Sequence, residues 1–303
     1  MSRHVLLALG LLVLTFGGGV LLRGVLFGED DVELPLAAPL PAATGAGQLT
    51  VSRLQGRVEL RDEAGGNWLP LAENARVKER ASVRTDDGAS AVLSGGDGLQ
   101  VEVSPLSQVE LVAVESNLAK LVLERGRLSA RVQGVAGALQ VGAAGSDALV
   151  QARDKAAFSL LRDDFGKLAV AVTEGDVALS AQKQSVRVGP GEQSVVPVGR
   201  APLPPVHIPS SLFLKVSHLG QNRLNKRTTE LGGQASPGAS VIVNGVSAAT
   251  DDDGHFNVRV PLQEGKNELH VLAQDALGRS ERQALSPVLV DTQPPKLQGK
   301  TVW

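Results

Sequence analysis

ESNLAKLVLERGRL, residues 115–128, is the stretch on which the fold turns. By content it can be argued as a helix, since Leu, Ala, Lys, Glu and Arg all favour that state. Its β-branched neighbours decide against it. DGLQVEVSPLSQVELVAV, residues 97–114, places Leu99, Val101 and Val103 on one face. LTVSRLQGRVELR, residues 49–61, does the same with Leu49 and Val51, then with Val58 and Leu60 across a glycine. Alternation of this kind is the signature of half-buried strands. Turn signals recur at short intervals: Ala64-Gly65-Gly66-Asn67, Asp86-Asp87-Gly88, Gly95-Gly96-Asp97-Gly98, Gly142 to Gly145, and Arg162-Asp163-Asp164. The expected class is all-β. A loose repeat, QGRVELR, ERGRLSARV and TEGDVALS around Gly56, Gly126 and Gly175, points to a wound sheet, solenoid- or roll-like.

Composition bounds the function. A chain of 303 residues, 43% hydrophobic, can bury one sizeable core and has the length for two. Its 34 glycines and 16 prolines favour many short strands. Lys and Arg number 30 against 32 Asp and Glu, a net charge of −2 that lacks the basic footprint of a nucleic-acid binder. Cysteine is absent, which removes disulfides, thiolate nucleophiles and Cys-zinc sites. Tyrosine is also absent and aromatics are 3%, so the stacking platforms of sugar and single-strand binders are mostly missing.

The N-terminus opens MSRHVLLALGLLVLTFGGGVLLRGVLFGEDD, without a charge from Val5 to Leu22 and with acidic residues at Glu29, Asp30, Asp31 and Glu33. About 20 apolar residues cross a bilayer as a helix, and Arg23 can snorkel to the headgroups. The expectation is an uncleaved signal-anchor over residues 5–27. Arg3 and the free amine place a tip of residues 1–4 in the cytoplasm and the bulk of the chain in the periplasm, on the outer side of the inner membrane. The competing reading is a signal peptide cleaved at Gly17-x-Gly19. A Pro/Ala/Gly-rich spacer follows over residues 28–48. A second Pro-rich segment, residues 199–210, reads as a stiff linker between two independent modules.

The block from Leu54 to Leu111 resembles the FecR-type extracytoplasmic domain. Gly56 and Val58, Trp68 and Leu71, Arg84 and Thr85, Ala89 to Leu93, Asp97 and Gly98, and Pro105 with Ser107 follow that family's order. LVLERGRLSARV and AVTEGDVAL extend the likeness over residues 49–198, while RDKAAFSLL keeps Phe158 but lacks the family's Gly-Thr. The resemblance implies an exported β domain rather than an enzyme. In iron-citrate regulators such a domain relays a signal to a cytoplasmic sigma factor through a sizeable cytoplasmic segment. Met1 to His4 are too few for that, so the anti-sigma role is not carried over.

The second module, residues 211–293, contains SVIVNGVSAATDDDGHFNVRV, residues 240–260. Asn244-Gly245 and Asp253-Gly254 are hairpin-turn pairs, because both tolerate positive φ. With Asp275 to Gly278 they resemble the bacterial Ig-like sandwich. A ten-residue tail, 294–303, follows. Asp251, Asp252 and Asp253 then read as a hairpin corner. An EF-hand loop with Gly254 as its glycine would put ligands at Ala249, Asp251, Asp253 and Val260, and two of those cannot bind calcium. His4, His207, His218, His255 and His270 are scattered, and no serine sits in a nucleophile elbow. Gly-rich LSGGDGLQ, residues 93–100, has no following helix to bind phosphate. No catalytic, cofactor or metal residues are expected.

The sequence therefore points to a membrane-anchored envelope protein that is not an enzyme. It would bind or scaffold another envelope protein or a cell-wall component. The alternative is the sensing component of a transmembrane signalling system, without its own anti-sigma domain. A reporter active only in the periplasm, fused after Trp303, is expected to be active, with the protein retained in carbonate-washed membranes. Release by the wash with a mature N-terminus at Val20 would replace the anchor by a signal peptide.

Overall fold

A computed structural model describes residues 47–115, 118–133, 138–218 and 222–293, all within one compact unit spanning 41–303. The expected span at 5–27, nearly all of the first spacer and the tail lie outside the described residues. Among the described residues the only helical element is a single 3-10 turn, Gly96–Gly98, and none is long and apolar enough to cross a membrane. The fold class is all-β.

Among the described residues the N-terminal module contains 17 strands. The first eight are β1 (Gln48–Gln55), β2 (Val58–Arg61), β3 (Leu69–Pro70), β4 (Arg76–Lys78), β5 (Ser82–Thr85), β6 (Ser90–Ser94), β7 (Gln100–Val103) and β8 (Gln108–Glu115). The segment that could be argued as a helix is a strand, β9 (Leu118–Val132), 15 residues long. After it come β10 (Ala138–Ala143), β11 (Leu149–Ala152), β12 (Ala156–Arg162), β13 (Leu168–Glu174), β14 (Val177–Ala181), β15 (Gln184–Val188), β16 (Glu192–Val196) and β17 (Val206–His207).

These strands form two layers that share β9. One layer runs β4-β1-β6-β7-β9-β12-β13-β16-β17. The other runs β3-β2-β5-β8-β9-β10-β11-β14-β15, with β9 and β10 parallel. The C-terminal half of β9 serves the first layer and its N-terminal half the second. Its buried residues show how. Ala119, Leu121 and Leu123 face the core at odd positions, whereas Leu128, Ala130 and Val132 face it at even ones. A one-residue slip would turn half the strand outward unless a bulge absorbs it. The register against β8 breaks there, with Gln108 opposite Arg125 and Val109 opposite Leu123.

Gly126 makes the corner at φ +83°, and a Cβ there would lie 2.4 Å from Ser107 Oγ and 2.7 Å from Ser107 Cα. Only glycine fits both constraints. Ser107 Oγ accepts the Arg127 N–H at 2.9 Å, and the Ser107 N–H donates to Thr85 Oγ1 at 3.0 Å. Thr85 Oγ1 in turn donates to the Ser104 carbonyl at 2.6 Å. On the outer face of the second layer, Trp68 stacks between Arg84 and Arg61, whose guanidinium carbons lie 4.2 and 4.7 Å from the ring centroid. Arg84 also bonds Glu59, and together with Arg57 it holds that carboxyl below its ordinary range.

The C-terminal module adds β18 (Leu214–His218), β19 (Arg223–Leu224), β20 (Thr228–Ala235), β21 (Ser240–Val243), β22 (Val246–Ala248), β23 (His255–Pro261), β24 (Gly265–Gln274) and β25 (Ser280–Val290). A three-stranded sheet, β18-β20-β23, and a five-stranded sheet, β19-β25-β24-β21-β22, enclose one core. Leu231, Phe256 and Val260 from the first sheet meet Val241, Val243, Leu269 and Val271 from the second. Alternate residues point inward along each strand, as a two-layer sandwich requires.

The linker is not the stiff, free spacer that its prolines suggest. β17 pairs with β16, Glu192 opposite His207, and the Leu203 N–H donates to the Val195 carbonyl at 2.8 Å. Prolines are compatible with this because an edge strand leaves one row of N–H positions unused. Leu203 and Ile208 thereby join Leu161, Ala169, Ala171 and Val195, on the outer face of β12, β13 and β16, against Ala276 and Leu277 of the C-terminal module. The modules share an apolar seam.

Gly126→Ala is expected to cost at least about 2 kcal/mol in denaturant unfolding, because backbone strain and a backbone clash add. Gly265→Ala, at φ +92° with nothing within 4 Å of the added Cβ, is expected to cost about 1 kcal/mol. Equal costs would remove the corner from the account.

Candidate functional site

Two clefts open along the seam, and residues from both modules line each. The smaller, about 460 Å³, lies between the β12–β13 hairpin with Pro197 to Arg200 on one side and Ala249 to Asp253 on the other. Here the three aspartates take up separate tasks. Asp251 Oδ1 accepts the N–H groups of Asp253 at 3.1 Å and His255 at 2.7 Å, closing the hairpin turn. Asp252 forms an ion pair with Arg200 at 2.5 Å, reaching across the seam. The Asp253 carbonyl accepts from Gln234 at 3.1 Å. Among the described residues, no group of three or more His, Cys, Asp or Glu is placed to hold a metal ion.

The cation that the aspartates face is one that sequence reasoning missed. Lys167 begins the approach to β13, and its side chain is 7% exposed. Its Nζ lies 3.7 Å from Asp163, donates to Thr250 Oγ1 and points to the Ala239 carbonyl at 3.4 Å. Burial pushes its pKa below the ordinary lysine range, and Asp163, then Asp252 and Asp251, oppose that shift. The acidic corner thus helps to hold a buried cation of the neighbouring module. The only signal in the sequence is a lone lysine ahead of the apolar run LAVAV.

The larger cleft, about 580 Å³, is walled by Ser104 to Leu106, Arg125 to Arg127 and Arg162 to Phe165 on the N-terminal side. Ser240 to Ile242, Leu272, Gln274 and Arg282 close it from the C-terminal side. Leu106 and Phe165 stand exposed there, at 57% and 48%. The corner at Gly126 places Arg125 and Arg127 in this wall. Elsewhere, the Asp275 carboxylate accepts from the backbone and guanidinium of Arg279, whose Nη1 donates to the Pro209 carbonyl at 2.6 Å, tying the last β-turn to the linker.

Among the described residues the histidines lie on separate strands. His207 lies on β17, His255 and His270 are exposed on β23 and β24, His218 belongs to β18, and His4 is outside the described residues. LSGGDGLQ forms the 3-10 turn between β6 and β7. The clefts therefore offer charge, hydroxyls and apolar rims for binding.

Comparison with known proteins adds the following. Residues 221–291 match the family model described as glucodextranase, domain B. No curated protein matches the chain. A candidate anti-sigma factor from Parabacteroides distasonis ATCC 8503, solved at 1.65 Å, aligns at 18% identity and a TM-score of 0.36. The alignment covers 42% of this chain and 59% of that one. A polysaccharide lyase aligns at 11% identity and a TM-score of 0.21, over 82% of this chain and 40% of its own. A bacterial ice-binding adhesin aligns at 15% identity and a TM-score of 0.18, over 78% of this chain and 86% of its own. Likeness at these scores transfers no role to this chain.

Lys167 carries a pH signature. Its folded-state pKa lies below the ordinary 10.5, so the native state releases the proton before the unfolded chain does. Stability then rises with pH in the window between the lowered value and 10.5. Denaturant melts from about pH 7 to about pH 10 should show the difference between wild type and Lys167→Met moving in favour of wild type. A difference independent of pH would mean that Lys167 is not buried against the C-terminal module.

Proposed function

We propose that this chain is a non-catalytic binding protein of the cell envelope. In this reading residues 5–27 hold it in the inner membrane, and the two-module body stands on the periplasmic side. Its FecR-like pattern over residues 49–198 and the domain-B match over residues 221–291 support display rather than catalysis. The observation that carries the reading is the composite cleft of about 580 Å³ that neither module could build alone. A buried apolar seam fixes its walls, so a ligand meets a preformed site. The ligand is an envelope protein or a cell-wall component. A sensing relay is the second reading, favoured by Lys167, since a ligand that alters the seam would alter the balance around a buried cation.

A photo-crosslinking amino acid at Leu106 or at Phe165 tests this in intact cells. Both positions are expected to yield the same discrete adduct, and the same group at Gln184 on β15 none. Absence of any adduct, or one common to all three positions, would remove the cleft as the binding site.

A further inference from the structure

We infer that the larger cleft binds the carboxylate of an acidic glycan, a uronate-type sugar. The inference rests on the reading that this cleft is the binding site and names the ligand's chemistry.

Four arginines line it: Arg125, Arg127, Arg162 and Arg282. Arg57, Arg84, Arg187, Arg200 and Arg259 all have a carboxylate within 4.0 Å. Among the described residues, the four in the cleft have none. Among the described residues, three of the four buried side-chain polar atoms without a hydrogen-bond partner belong to residues of this one wall: Ser104 Oγ, Arg127 Nε and Arg162 Nε. Ser104 is 1% exposed. These atoms are closed off from solvent, so a ligand bonds to the outer N–H groups of the wall and not to them; they show that the wall is packed without full internal bonding.

Arg127 is the centre of the arrangement. Gly278, in the last β-turn, permits the turn to lie on its guanidinium, since a Cβ at that glycine would be 2.7 Å from Arg127 Cζ. Arg127 Nη1 donates to Ser129 Oγ at 3.2 Å. Desolvation lowers its pKa, and Glu102 and Asp275 oppose that shift through charge alone. Arg162 is held by bonds to the carbonyls of Glu124 at 2.6 Å and Ala144 at 2.9 Å, residues outside the cleft lining, and so contributes its charge to the wall more than a free fork. The carboxylates of the wall are Asp163, paired with Lys167, Asp164, which accepts from Ser247, and the exposed Asp87. A guanidinium fork takes a carboxylate in two parallel bonds, which a lysine cannot do.

The remaining lining separates a sugar from a bare anion. Leu106 and Phe165 offer apolar faces for the C–H side of a pyranose ring, and Gln274 offers an amide for its hydroxyls. The volume of about 580 Å³ lies within the range of small-ligand sites.

Titration calorimetry of the full-length chain in detergent tests the inference, with a galacturonate trimer as probe. The trimer is expected to bind at least about tenfold more tightly than a neutral maltotriose, a factor set by the charge-assisted bonds. Arg125→Gln combined with Arg282→Gln, both exposed positions, should weaken it at least about tenfold. Arg76→Gln, on the exposed face of β4, should leave it unchanged, and circular dichroism checks that each variant is folded. Equal binding of maltotriose, an unaffected double variant, or no binding of the trimer would overturn the inference. So would tighter binding of inorganic phosphate or of a glutamate-rich peptide than of the trimer. A discrete crosslink at Leu106 and Phe165 with no trimer binding would refute the acidic glycan while leaving the cleft as a binding site.

Discussion

The structure depends on one backbone position where no side chain fits. At Gly126 the chain adopts φ +83° with Ser107 where a Cβ would stand, so β9 can turn from one layer into the other. The bulge beside it absorbs the one-residue slip, so that Leu123 and Leu128 both face the same core. Thr85, Ser107 and the Arg127 N–H then lock the corner through buried hydrogen bonds. Burial strengthens those bonds and makes any unpaired member costly, so the corner has one geometry. The corner also sets the position of the flanking arginines, and therefore the wall of the larger cleft.

A second constraint is that β12 and β13 are buried on both faces. Leu160, Val170 and Val172 face the module's core, while Leu161, Ala169 and Ala171 meet the linker and the turn at Ala276. Strands covered on both sides read as continuous apolar runs rather than as alternation. Burying them leaves Lys167 in the seam, and a buried cation needs carboxylates nearby. The hairpin at Asp251 to Asp253 supplies two of the charges that act on it. Fold, seam and cleft are in this sense one arrangement.

Much of this is legible in the sequence. Alternation at Leu49, Val51, Val101 and Val103 marks strands that the structure contains, and the β-branched neighbours of residues 115–128 outweigh their helical content. Gly126 stands out in the loose repeat, and Thr85 and Ser107 in the family resemblance, and the three meet at the corner. The seam is harder. AAFSLL and LAVAV are visible as unbroken apolar runs, but a run buried in one core and a run shared by two modules look alike. The stretch from Ala201 to Pro209 reads as a spacer because prolines resist central strands, yet an edge strand needs few donors, and Val206 and His207 find one. The aspartates read as turn chemistry, which Asp251 performs. That Asp252 meets Arg200 and that Lys167 is buried opposite cannot be seen, since their contacts join residues far apart along the chain.

If the seam fixes the cleft, the two modules hold one relative placement in solution. The chain has no cysteine, so a pair introduced at Gln184→Cys and Glu268→Cys can be spin-labelled without background. Electron–electron double resonance on the full-length chain measures the distance between them. A single narrow distribution, unchanged by dilution, is expected. A broad or two-peaked distribution in the folded chain would contradict it, because modules on a free linker would sample many separations.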